Sequence, residues 1–136
     1  MFELKLEKAG LEQLGQVLAF IDEHLEEMGC PLKTQMQIDI AVEEVYVNIA
    51  NYAYAPETGP ARIQLEPAPD RSEVTISFFD RGIPFDPLAK EDPDITLSAE
   101  ERQIGGLGIY MVKQSMDNVH YIRENDINIL IITKKL

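Results

Sequence analysis

Apolar and polar residues alternate at the start of the chain: Phe2, Leu4 and Leu6 are interleaved with Glu3, Lys5 and Glu7. A period of two predicts a half-buried strand. From Leu11 the period changes. Leu11, Leu14, Val17, Leu18, Ile21, Leu25 and Met28 recur at steps of three and four, an amphipathic helix that Gly29 is suited to end. After Pro31 a second helical stripe runs through Ile38, Val42, Val45 and Ile49, and the reading carries this helix to Tyr54. Pro56, Gly59 and Pro60 mark a loop. Alternation returns in Ala61 to Pro67 and Glu73 to Phe79, joined by the turn formers PAPDRS, which predicts a hairpin. A helix over Ile109 to Met116 and strands over Val119 to Arg123 and Ile127 to Thr133 complete the chain. The last strand is apolar on both faces apart from Asn128, so it is expected to be central and covered on each side.

One stretch fits no period. Residues 83–104 hold three prolines and many acids, with only Ser98 to Arg102 able to form a helical turn. A loop of about 20 residues in a compact domain is usually functional or disordered, and it reads as a mobile lid.

At 136 residues, 45% of them hydrophobic, the chain is expected to fold as one domain over residues 1–136. No apolar run reaches the roughly 18 residues a membrane span needs, and no secretory leader is expected at MFELKLEK. The lone Cys30 fits a reducing cytoplasm and reads as a small helix-end residue. A net charge of −12 excludes a nucleic-acid backbone as partner but leaves room for a nucleotide, and it suits a basic protein partner. His24, on the polar side of the first helix, and His120, in an alternating strand, read as solvated.

Three places carry candidate chemistry. Glu44 and Asn48 are four apart on the central helix and project from one side. They are either part of a solvated face or a pair that shares one cation or water. In the second case the carboxamide suits Mg²⁺ and the carboxylate can accept a proton from a nucleophile. Asn is costly inside a helix, and Asn51, Tyr52 and Tyr54 crowd the helix end. Asp80-Arg81-Gly82 follows a strand and is either an ordinary turn or a carboxylate placed to accept a hydrogen bond from an amine such as that of adenine. There Gly82 would let the backbone pass close to the base. Gly105-Gly106-Leu107-Gly108 opens a helix, where N–H groups and the helix dipole favour phosphate. It is neither a Walker A loop nor a dinucleotide fingerprint.

The order of these motifs, carried by EEVYVNIANYAY, DRGIPFDP, GGLGIYMVKQSMDNVHY and the closing NILIITKK, resembles the GHKL ATPase superfamily of DNA gyrase, histidine kinases and MutL. Within it the chain looks most like the stand-alone anti-sigma-factor serine kinases of bacteria. The resemblance covers essentially the whole chain. It implies an α/β fold, specifically a two-layer α+β sandwich of the Bergerat type. A mixed, mainly antiparallel sheet would carry helices on one face, with ATP between the helices and the lid. It implies Asn48 as Mg²⁺ ligand, Glu44 as base, Asp80 with Gly82 at adenine, and Gly105, Gly106, Leu107 and Gly108 around the phosphates. Asn51 and Tyr52 fall where the family places polar or aromatic residues. The implied activity is phosphorylation of a STAS-type anti-anti-sigma protein, with binding of a sigma factor and a possible homodimer, in the cytoplasm. Two departures stand out. Ile104 occupies the place where many members carry an arginine, the nearest being Arg102, and Tyr52 stands where a histidine is frequent. A nucleotide-responsive binding module without phosphotransfer is the alternative.

Overall fold

The computed structural model describes residues 1–89 and 106–136. Five strands form one sheet: β1 (Phe2–Leu6), β2 (Ala61–Pro67), β3 (Glu73–Asp80), β4 (Asn118–Glu124) and β5 (Ile127–Lys135). Their order is β1-β2-β3-β5-β4, and all four pairings are antiparallel. Three helices, α1 (Leu14–Glu27), α2 (Leu32–Asn48) and α3 (Gly106–Ser115), pack their apolar sides into one core with a single face of this sheet. The two-layer α/β architecture follows directly from the alternation of the strands.

The strand periods translate into burial residue by residue. On β3, Val74, Ile76, Phe78 and Asp80 point into the core, and on β5 so do Asn128, Leu130 and Ile132. Register pairs Ile76 with Ile132, Phe78 with Leu130 and Asp80 with Asn128. The two buried polar residues are therefore direct cross-strand neighbours, at the end of an otherwise apolar ladder. The expectation that β5 is covered on both sides is not met. Ile127, Ile129 and Ile131 on its other face are only half-buried. Isoleucine is favoured on a pleated strand whether or not the row is fully covered, so composition overstated burial.

The predicted stripe of α2 is buried throughout: Ile38, Val42, Val45 and Ile49, joined by Ala41 and Tyr46. Tyr46 is fully buried, and its hydroxyl donates to the Gly10 carbonyl at 2.7 Å, tying α2 to the turn before α1. α1 begins one turn later than its stripe, because Leu11–Gln13 form a 3₁₀ turn. It ends as predicted at Gly29, whose φ is +71°. The Cys30 N–H donates to Leu25 and the Gly29 N–H to Glu26, the paired bonds of a Schellman cap.

The helix predicted to continue to Tyr54 does not do so as an α-helix. At Ile49 it widens into a π turn that runs to Ala53. Such turns hold one extra residue per bond and recur at functional sites. His24 also departs from expectation. It stacks on Phe2 with ring centroids 3.9 Å apart and meets Phe20 edge-on, so it is packed between aromatics rather than solvated. His120 is exposed, as expected. No helix among the described residues is long and apolar enough to cross a membrane.

Candidate functional site

The end of β3, the π turn and the last strand enclose a cleft with about 460 Å³ of empty space, its open mouth included. Its walls are mainly apolar: Val45, Ile49, Phe78, Ile83, Ile109 and Leu130 among them. Asp80, Asn48, Asn128 and the hydroxyl-bearing Tyr121 and Tyr52 supply its polar groups. A small number of polar groups in an apolar slot is how a planar heterocycle is held.

Asp80 is buried at the inner end of β3, at 7% exposure. Its Oδ1 accepts the Gly82 N–H at 2.9 Å and Asn128 Nδ2 at 2.9 Å. The first bond makes a tight Asx turn of the Asp-Arg-Gly sequence. That turn drives residue 82 onto the π turn, where a Cβ on Gly82 would overlap the carbonyl of Ala53. The same carbonyl accepts the Ile83 N–H at 2.9 Å. Glycine at 82 is thus required by backbone meeting backbone. Tyr54 braces the turn from outside; its hydroxyl accepts the Arg81 N–H at 2.7 Å and donates to the Pro60 carbonyl.

Glu44 and Asn48 lie one turn apart on α2, both half-buried. Glu44 reaches α3: a Cβ on Gly108 would overlap its Oε2 and sit 3.0 Å from its Cδ. The side chain missing from residue 108 is the space the carboxylate fills. Gly106, Leu107 and Gly108 form the first turn of α3, where unpaired N–H groups favour an anion. Gly105, Ile104 and Arg102 lie outside the described residues, as does most of the predicted lid, residues 90–104. Its first part, from Ile83, runs along the cleft, where Ile83, Phe85 and Pro87 join the lining.

The remaining sequence candidates divide. Tyr52 lines the cleft, 44% exposed, with its ring centroid 6.3 Å from that of Phe85. Asn51 is exposed and is not among the lining residues. The end of α2 and the π turn bring Asn48, Ile49, Tyr52 and Ala53 to the cleft. Two residues that carry no candidate role in the sequence hold the site together. Asn128 was visible as the polar exception in an apolar strand. Tyr54 had no signal beyond its place at a helix end.

The donor set suits a magnesium nucleotide. Among the described residues no group of three or more His, Cys, Asp or Glu side chains could hold a metal by itself. The half-buried Asn48 carboxamide, next to Glu44, fits Mg²⁺, which keeps waters and leans on phosphate oxygens. The apolar slot ending in Asp80 fits a base with an exocyclic amine.

Comparison with known proteins finds relatives and a shared fold. The chain is 28% identical over 101 residues to the serine/threonine-protein kinase BtrW of Bordetella bronchiseptica, covering 74% of this chain and 70% of that one. It is 30% identical over 95 residues to the serine-protein kinase RsbW of Bacillus cereus, covering 67% of this chain and 58% of that one. The match therefore spans little more than half of the second relative. The structure of the RsbU and RsbW domains of a Mycobacterium tuberculosis protein superposes with a TM-score of 0.66 at 17% identity. That superposition covers 100% of this chain and 33% of the other, and shows the shared fold. A family model described as the histidine kinase-like ATPase domain matches residues 8–134, and the chain belongs to that family.

Proposed function

We propose that this chain binds Mg-ATP and transfers the γ-phosphoryl group to a serine of a STAS-type anti-anti-sigma protein, and that it also binds a sigma factor, in the cytoplasm. The observation that carries the reading is the meeting of Glu44 with Gly108. It holds a carboxylate against the first turn of a helix whose free N–H groups favour phosphate.

In this reading the base lies in the apolar cleft with its amine on Asp80, and Gly82 allows the close approach. The phosphates lie at Gly106, Leu107 and Gly108, with Gly105 adding room, and Asn48 ligates Mg²⁺, which offsets phosphate charge. Tyr52 covers the mouth of the cleft. Asn51, exposed on the same turn and outside the lining of this cleft, keeps its assignment to the nucleotide. Glu44 takes the proton of the serine hydroxyl as its oxygen bonds to the γ-phosphorus. The bond from that phosphorus to the bridging oxygen breaks, and ADP leaves. Such transfer is mostly positioning and charge stabilisation. A homodimer is part of this reading by resemblance to the family alone.

The names of the BtrW and RsbW relatives support the kinase reading. Ile104, in place of a cation before the glycines, favours the second one, a module that switches partners with ATP or ADP and transfers nothing. Labelled phosphate incorporated into a purified STAS partner separates them. Glu44→Ala should abolish incorporation and leave Mg-ADP affinity within a few-fold. Incorporation that survives in Glu44→Ala removes Glu44 as base, and none in the parent, with ATP-dependent complex formation intact, establishes the module.

A further inference from the structure

Asn128 is 5% exposed in a row of buried apolar side chains, and its carboxamide is fully engaged. Its Nδ2 donates to Asp80 Oδ1 at 2.9 Å and to the Ile83 carbonyl at 2.8 Å. Its Oδ1 accepts from the Tyr121 hydroxyl and from Arg123 Nη1 at 3.0 Å. Partner chemistry dictates this orientation. A guanidinium can only donate, so the end of the amide beside Arg123 has to be oxygen. A carbonyl such as that of Ile83 only accepts, so the end beside it has to be NH₂. A flip would face donor with donor and acceptor with acceptor. Arg123 Nη1 also donates to the Gly82 carbonyl at 3.1 Å, so the arginine grips the turn and the amide together.

The consequence falls on Asp80. Both hydrogen bonds it accepts from the described residues go to Oδ1. The carboxylate is therefore fixed by one oxygen, and Oδ2 is left to the cleft that Asp80 lines. We infer that Asn128, clamped by Tyr121 and Arg123, is a positioning residue that sets the rotamer of Asp80 and thereby selects a 6-amino purine over a 6-oxo purine. The inference rests on the nucleotide reading above and adds a residue and a selectivity to it. With Oδ2 fixed as an acceptor, an exocyclic amine completes a hydrogen bond. A 6-oxo group sets two acceptors against each other, and the buried site cannot turn to relieve it. Without the amide, Asp80 is held by the Gly82 N–H alone and can rotate, so the preference weakens.

The test is calorimetric titration of the full chain with Mg-ADP and Mg-IDP, which differ at the 6-position. The parent should prefer ADP by at least about tenfold, the value of one hydrogen bond exchanged for an unpaired acceptor. Asn128→Leu keeps the size and removes the donor; its ADP-to-IDP preference should fall toward unity, mainly through weaker ADP binding. Tyr121→Phe removes one of the two donors that orient the amide from a half-buried site, and it should lower the preference severalfold with little effect on melting. A purely structural amide would lower both affinities together and leave their ratio unchanged. An unchanged ratio in folded Asn128→Leu, or in Tyr121→Phe if the leucine variant does not fold, overturns the inference and leaves the nucleotide reading standing. A parent that binds neither nucleotide overturns both.

Discussion

Two glycines of the site face different obstacles, and the same substitution should separate them. At Gly108 an alanine Cβ would overlap Glu44 Oε2, the far end of a flexible side chain. Glu44 can swing away, so folding loses little. Alanine in place of glycine in α3 gains up to about 1 kcal/mol, which offsets an off-rotamer or lost contact of similar size. Gly108→Ala should therefore melt within about 4 °C of the parent. At Gly82 the Cβ would overlap the Ala53 carbonyl and come within 2.7 Å of the Ala53 Cα. Backbone cannot swing away. The bonds from Ile83 N–H to Ala53 and from Gly82 N–H to Asp80 are both at risk. At about 1 kcal/mol each, with about 1–3 kcal/mol for overpacking, Gly82→Ala should cost about 3–5 kcal/mol. That is a melting decrease of roughly 10 °C or more for a chain of this length.

The catalytic prediction runs the opposite way. If Glu44 is the base, as proposed, Gly108→Ala displaces it from the place where it would meet the hydroxyl proton. A positioned general base is worth about 10²–10⁴-fold, so phosphate transfer should fall at least about a hundredfold in a folded protein. In single-turnover transfer at saturating Mg-ATP, which removes any loss of phosphate binding at residue 108, adding Glu44→Ala to Gly108→Ala should cost little more than Glu44→Ala alone, because both then act through one carboxylate. Scanning calorimetry and a phosphate-transfer assay on the singles and the double read all of this. Transfer at the parent rate in Gly108→Ala, or a melting loss as large as that of Gly82→Ala, refutes the reasoning.

Two further predictions concern pH. Asp22 Oδ1 on α1 and Asp39 Oδ1 on α2 are buried, and as two carboxylates they find no donor; a proton on one lets it bond the other. Burial first, then a hydrogen bond with Asp22 and the charges of Asp22 and Glu26, push the Asp39 carboxyl from 3.8 up to about 7. The folded state then holds a proton the unfolded chain has lost, so stability from this group is full below about pH 4 and gone above about pH 7. Asp39→Asn should gain about 1–2 kcal/mol over the parent at pH 8 in urea unfolding, allowing for partial exposure, and nothing at pH 4; equal stability at pH 8 would count against a shared proton. Burial likewise pushes the Tyr46 phenol from 10.0 up to about 12. The parent should lose about 2–3 kcal/mol between pH 10 and 12 as the phenol ionises, and Tyr46→Phe should lack that slope at a cost near 1 kcal/mol at pH 8; identical slopes would refute it.

How far the structure was legible follows from the range of each signal. Ile38, Val42, Val45 and Ile49 share one burial stripe because helical period is local, and Val74, Ile76 and Phe78 alternate for the same reason. Gly29 marked a left-handed cap because only residues next to it decide that conformation. The π turn gave no warning, since the stripe ends at Ile49, where the widening begins. Asp80 stands out in the sequence by its place after a strand, but its partner Asn128 is 48 residues away and meets it only through strand register. The contact of Glu44 with Gly108 is equally long-range. Each looked like an ordinary residue type until the two helices were placed together. His24 looks solvated in the sequence because Phe2, which stacks on it, belongs to another element.

The central claim is that Asp80 lies at the adenine end of a nucleotide site, and the thermal unfolding of the parent and Asp80→Asn, each with and without Mg-ADP, tests it most directly. Ligand at 100 times its dissociation constant stabilises a fold by about 2.7 kcal/mol, so the parent should melt roughly 5–15 °C higher with Mg-ADP and Asp80→Asn should not respond. No shift in the parent at saturating Mg-ADP, or an equal shift in Asp80→Asn, would contradict it.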